Sequence, residues 1–246
     1  MIAGETNAPR EQINKRQVLV ELFTSEGCSS CPSADSVLIR LEKEQPVPGV
    51  RIITLSESVP YWNYLGWRDP YSLELSTQRQ KAYAEALRRP SLYTPQMVVD
   101  GQAEFVGSDY GQALTAIERA SRLEKAKIRL TGKLNGGALL LKGEIELPVA
   151  AGKSLVALRL AIVEDNLSSP VTHGENAGRK LPHCSIVRTL VNLVRTTDSP
   201  VSKFEKTIVL NPEWNEKELR VIVFAQDSEN QRVVGSAECL LDRARH

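Results

Sequence analysis

A surplus of charge of one sign is missing from this chain. Its 31 Lys and Arg residues nearly cancel its 30 Asp and Glu residues, leaving a formal charge of +1. The basic excess that carries a protein onto nucleic acid is absent, so no nucleic-acid partner is expected. No run approaches the roughly 18 apolar residues of a membrane helix, so no membrane span is expected either. Cysteine is scarce: four in 246 residues are too few for a disulfide-built scaffold. The chain also lacks a phosphate-cradling glycine loop, a Ser-His-Asp signature, a paired-acid motif, an internal repeat and a low-complexity tract. A content of 25% charged and 41% hydrophobic residues is that of a folded protein, in one large domain or two ordinary ones.

Residues 1–15 are polar and aperiodic and read as a flexible arm. They hold no apolar stretch of about 7–15 residues such as a secretory signal needs. The expectation is a periplasmic or secreted protein if a signal has been removed, and a cytoplasmic one otherwise.

The first half alternates short apolar runs with amphipathic segments. Val18–Phe23 reads as a buried strand, and Ala34, Val37, Leu38 and Leu41 mark one face of a helix over residues 33–44. Val50–Leu55 reads as a second strand, parallel to the first because a helix crosses over between them. A long aromatic loop over 56–70 precedes a helix over 71–89, with Leu75, Ala82, Tyr83, Ala86 and Leu87 expected to face inward. Strands at 96–99 and 103–106 flank the hairpin dipeptide Asp100-Gly101, and a last helix covers 109–123. After Glu124 alternation replaces helical spacing. Strands are expected at 126–134, 138–147, 154–164, 203–210, 219–226 and 231–240, in an antiparallel sandwich. Residues 183–195 fit strand or helix.

Chemistry concentrates in Cys28 and Cys31, spaced C-x-x-C where the first helix begins. Unpaired N–H groups and the positive end of the peptide dipoles favour a thiolate there, and such settings bring a cysteine from about 8.5 down to roughly 3.5–7.5. Cys28 would then be the nucleophile toward a disulfide and Cys31 the resolving thiol. Pro32 is tolerated in a first helical turn, and Ser29 or Ser30 is the expected cap. Two other readings stay open: a static disulfide, or half of a metal site.

The order β-α-β-α-β-β-α, the C-x-x-C at the first helix start and Thr94-Pro95 opening the third strand resemble the thioredoxin fold. More narrowly, VELFTSEGCSSCPSAD, YWNYLGW, TPQMVVDG and HGENAGRKLPH resemble the family called domain of unknown function 1223: thioredoxin-like, commonly secreted proteins with a β-rich C-terminal part. The resemblance covers roughly residues 17–240 and implies a cis Pro95 beside the dithiol, with Thr94 and Pro95 docking an extended substrate. It also suggests Glu21, seven residues before Cys28, as a buried acid of raised pKa that takes a proton from Cys31; an edge-facing, solvated Glu21 is the other reading. Two departures stand out. Gly27 and Ser29-Ser30 replace the thioredoxin Trp and Gly-Pro, and Ser56–Pro60 stands where this family usually carries His and Asp.

Five of thirteen aromatics fall within residues 61–71. Among them, Trp62 and Trp67 either grip a substrate or plug a domain interface. The expected architecture is an α/β thioredoxin-like domain over 16–124 followed by an all-β antiparallel sandwich domain over 125–246. The expected activity is thiol–disulfide exchange on a protein or small-thiol substrate, with no cofactor. Alternatives are a copper(I)-binding or metallochaperone module using Cys28, Cys31 and His183, and a non-catalytic partner-binding protein with a structural disulfide. Cys184 and Cys239 read as a pair or, singly, as inert thiols.

Overall fold

A computed structural model describes residues 16–148, 155–196 and 201–243; the expected arm over 1–15 lies outside them. The sequence β1 (Arg16–Thr24), α1 (Cys31–Glu44), β2 (Val50–Ser58) gives two parallel strands in register Arg16↔Val50 to Thr24↔Ser58. Helix α1 starts with proline in its first turn and ends where Gln45 turns left-handed at φ 47°, just before Pro46. A 3-10 turn (Pro60–Leu65) leads to α2 (Glu74–Ala86). Then β3 (Gln96–Val99) pairs antiparallel with β1, and β4 (Ala103–Val106) returns beside it. Helix α3 (Tyr110–Ser121) begins where the Asp109 carboxylate accepts a hydrogen bond from Gln112 N–H at 2.9 Å.

The later strands are β5 (Lys127–Asn135), β6 (Ala138–Glu146), β7 (Val156–Glu164), β8 (Leu167–Pro170), β9 (Lys180–His183), β10 (Ile186–Thr196), β11 (Val201–Val209), β12 (Leu219–Asp227), β13 (Val233–Leu240) and β14 (Asp242–Arg243). They settle the undecided segment 183–195 as mostly strand. With β1–β4 they form one eight-stranded sheet, order β13-β12-β7-β10-β2-β1-β3-β4, a four-stranded sheet, order β11-β6-β5-β14, and the β8-β9 pair. The fold is thus mixed α/β, with a large sheet and a smaller, mainly antiparallel one. The boundary expected near 124–126 falls between α3 and β5, and the large sheet runs through it, joined where Ile186 of β10 pairs with Ser56 of β2.

Alternation explains the layers. Val18, Val20 and Leu22 pack under Ala34, Leu38 and Leu41 of α1 and Ala113 and Ile117 of α3. Leu19 faces the other way, into a cluster with Ile53, Ala161, Val163, Ile222 and Phe224, so both halves of the chain share one apolar core. Leu158, Leu160 and Ile162 point oppositely again, against Leu139, Leu141 and Ile145 of the smaller sheet. Each such side chain contributes about 1.5–3 kcal/mol on leaving water. Gly101 shows how tight the junction is: a Cβ there would stand 2.0 Å from the Gln231 carbonyl oxygen.

The face of α2 departs from expectation except at Tyr83, which is buried as expected. Leu75 is exposed, and the buried residues are Ser76, Thr77, Arg79, Gln80, Tyr83 and Ala84. The helix packs a polar face inward because it covers buried carboxylates of β1 and β2, so apolar spacing misread it.

Candidate dithiol site

Strand β1 delivers the chain to a loop, Ser25–Ser30, that closes on itself: Cys28 N–H donates to Ser25 O and Cys31 N–H to Cys28 O, both at 3.2 Å. Gly27 lets Trp62 approach, since a Cβ at 27 would meet Trp62 Cβ at 3.2 Å. Ser30 occupies the cap position of α1 but makes no side-chain cap bond. Its hydroxyl lies 3.2 Å from Cys28 Sγ instead, so the expected cap serves the sulfur.

The two thiols are electrically unlike. The Cys31 thiol donates to Cys28 Sγ, and the Ser30 hydroxyl adds a second bond. These outweigh burial and draw Cys28 down to about 5. Cys31 moves the opposite way, far above the ordinary thiol range. Burial is the chief cause, reinforced by its bond to Cys28 and by the negative charge of that neighbour. The two sulfurs are not joined, and Cys28 is 1% exposed. Cys28 Sγ lies 3.9 Å from Thr94 O, within hydrogen-bond reach for sulfur. Thr94 Oγ1 in turn accepts from Trp62 Nε1–H at 2.8 Å. The Thr94–Pro95 bond is cis.

Glu21 does not join this group. It is completely buried on the sheet face opposite α1. There Arg79 Nε donates to it at 2.5 Å, and the Tyr83 hydroxyl makes a second, very short bond. Burial alone would raise its pKa, but the Arg79 guanidinium prevails and holds it below the usual carboxylate range. The raised pKa expected of Glu21 is therefore corrected. Glu57 in the same cluster moves the opposite way, raised well above normal by burial and by the charge of Glu21.

The acid on the dithiol side is Asp35, absent from the expected site. It lies one helical turn after Cys31 on the buried stripe Cys31, Ala34, Asp35, Leu38, Leu41. Thr24 Oγ1–H donates to its Oδ1 at 3.0 Å. Burial pushes Asp35 up to about 7 despite that bond and the nearby His183. An acid interrupting an apolar helical stripe beside the motif was the available signal.

Glu26, also unforeseen, ties three segments together. Trp67 Nε1–H donates to its Oε2 at 2.7 Å, His183 Nε2 lies 2.9 Å from its Oε1, and its backbone N–H donates to Asp69 Oδ2 at 3.1 Å. Trp67 is thus a strut, while Trp62 stays half-buried against the dithiol loop and Tyr64 is 78% exposed. His183 is held by Glu26, and among the described residues no three His, Cys, Asp or Glu side chains are arranged to hold a metal ion. The set Cys28, Cys31, His183 is not assembled. His173 is exposed, with Nδ1 2.9 Å from Thr172 Oγ1. Cys184 and Cys239 are not joined; Cys184 is buried, which pushes it up to about 12.

No curated protein matches the chain. Among solved structures, protein AGR_C_4864 from Agrobacterium tumefaciens is similar over 93% of this chain and 96% of its own, with 24% identity and a TM-score of 0.68. HBP35 of Porphyromonas gingivalis is similar over 93% of this chain and 76% of its own, with 15% identity and a TM-score of 0.70. Both likenesses are of fold. The family model described as protein of unknown function (DUF1223) matches residues 19–226, a span that holds Cys28, Cys31, Asp35, Thr94 and His183, and the chain belongs to that family.

Proposed function

We propose that the protein is a thiol–disulfide oxidoreductase whose residues 16–124 form a thioredoxin-like unit. The observation that carries the reading is the opposite displacement of two thiols within one C-x-x-C: Cys28 drawn down to about 5, Cys31 raised. A structural pair has no need of that asymmetry; a nucleophile with a resolving partner does. The order β1-α1-β2-α2-β3-β4-α3, with β1 and β2 parallel and β3 antiparallel to β1, supports the fold assignment.

In the reducing direction the Cys28 thiolate attacks one sulfur of a substrate disulfide. A Cys28–substrate bond forms, the substrate S–S bond breaks, and the departing thiolate takes a proton from solvent. Cys31 then passes its proton to the Asp35 carboxylate and attacks Cys28 Sγ. The Cys28–Cys31 disulfide forms and the second substrate thiolate leaves. Two electrons have moved from the dithiol to the substrate, and reversal gives oxidation. Thr94 O, 3.9 Å from Cys28 Sγ, offers an acceptor to an extended chain lying beside the sulfur.

The test is exchange with a model disulfide. Cys28→Ser abolishes turnover, and Cys31→Ser accumulates the mixed disulfide at Cys28. A Cys28→Ser variant with the wild-type rate would end the proposal.

A further inference from the structure

The β8–β9 hairpin belongs to neither large layer. Its strands pair with each other, from Leu167↔His183 to Pro170↔Lys180, in a two-stranded sheet of their own. The tip, residues 171–179, is closed by Gly178 N–H donating to Val171 O at 2.8 Å, and it turns at Gly174 and Gly178, where φ is 78° and 82°. This tip lands on the dithiol loop. The Asn176 amide nitrogen, on a fully buried side chain, donates to Glu26 O at 2.8 Å and to Cys28 O at 2.9 Å. The Glu175 carboxylate accepts from Ser29 N–H at 2.8 Å. A Cβ on Gly174 would lie 3.5 Å from Trp67 Cβ, so the tip also abuts the aromatic loop. At the hairpin base, His183 meets Glu26.

With the hairpin in this position Cys28 is 1% exposed. Nucleophilic attack needs the incoming sulfur in contact with Sγ, and a sealed sulfur admits none. The tip is anchored to the dithiol loop by polar groups that water can satisfy once they part, while Val171 and Leu181 are buried. Thr172, His173, Ala177, Gly178 and Arg179 are already exposed. Segments held this way open locally at a fraction of the global stability.

We propose that the β8–β9 hairpin is a flap over the dithiol: the closed form is self-inhibited, and the flap lifts before a disulfide reaches Cys28. The C-terminal half of the chain thereby gates chemistry performed by the N-terminal half. The inference rests on the dithiol reading, but access to the sulfur is measured separately from exchange.

The experiment labels the reduced full-length protein at pH 8 with a bulky maleimide and follows each cysteine by mass spectrometry. Cys28 is fully ionised at that pH, so its rate reports access. Asn176→Ala, which removes both carbonyl bonds, raises the Cys28 rate about tenfold; Glu175→Gln, at an exposed contact, raises it about twofold. Equal Cys28 rates in wild type and Asn176→Ala would overturn the flap, as would a fall in the denaturant-unfolding free energy of the variant that matches the whole gain in Cys28 rate, the mark of global unfolding. Faster labelling without disulfide exchange would keep the flap and sink the oxidoreductase; normal exchange with unchanged labelling would do the reverse.

Discussion

Asp35 stands one helical turn beyond Cys31 on the same buried face of α1, with its carboxyl held by the Thr24 hydroxyl at 3.0 Å. A carboxyl raised to about 7 is ionised in part of the molecules at neutrality and basic enough there to take a proton from a buried thiol. Asp35→Asn keeps the shape and removes the acceptor. Its expected effect is a drop in exchange rate of about a hundredfold at pH 7, with little change at the Cys28 attack step. The wild-type rate of mixed-disulfide resolution rises through pH 7 as Asp35 ionises, and that inflection vanishes in the variant. Rapid-mixing kinetics of the resolution step check this; an unaltered pH profile would leave Asp35 as packing only.

The same residue makes a stability prediction. Its folded pKa lies above its unfolded value of 3.8, so the protonated form favours folding. That contribution is complete below about pH 3.8 and is lost as pH rises through about 7. Asp35→Asn is free of this loss. Relative to wild type, both oxidised so that the thiols do not titrate, it gains on the order of 3 kcal/mol between pH 4 and pH 8. Denaturant melts at the two pH values measure the gain, and parallel shifts would contradict it.

Arg79 is the cation between Glu21 and Glu57, at 2.5 Å and 3.3 Å. Arg79→Met leaves the buried Glu21 carboxylate without its counter-ion and destabilises by about 3–5 kcal/mol. The Glu21 cluster lies on the sheet face away from α1, so the pH dependence of Cys28 labelling stays in place. A large displacement of that titration in a still-folded Arg79→Met protein would return Glu21 to the dithiol site.

Trp62→Phe removes the Nε1–H bond to Thr94 Oγ1 and keeps most of the ring. The expected cost is about 1 kcal/mol in kcat/KM toward a peptide disulfide, with a smaller effect on a small aliphatic disulfide. Equal losses on both would remove Trp62 from substrate recognition.

What could be read from the chain beforehand followed local signals. Cys28 and Cys31 announce themselves by spacing, and Thr94-Pro95 and Asp100-Gly101 by dipeptide. The β1-α1-β2 order follows from the apolar runs around Ala34 and Leu38. Asp35 escaped because whether an acid on an apolar stripe faces solvent or Thr24 is decided by the strand packed beneath it. The face of α2 escaped, apart from Tyr83, because Arg79 turns inward toward Glu21, 58 residues away, and Gln80 toward Tyr93 O and Gln96. Strands β8 and β9 are four residues each and contain Pro170 and Pro182, so neither carries a strand pattern. The pairing of Ile186 with Ser56 rests on a long-range register that no local rule supplies.

The ionisation of Cys28 also fixes a linkage. Its folded pKa lies below the unfolded value, so it stabilises the reduced protein fully above about pH 9, and that contribution disappears as pH falls through about 5. The measurement that bears most directly on the whole account is therefore the iodoacetamide labelling rate of Cys28, resolved from the other cysteines, between pH 3.5 and 10. The account requires a half-maximal rate near pH 5 and a plateau above pH 6.5, with Cys31 silent throughout. A rate that climbs only above pH 8, or the same curve for both sulfurs, would contradict it.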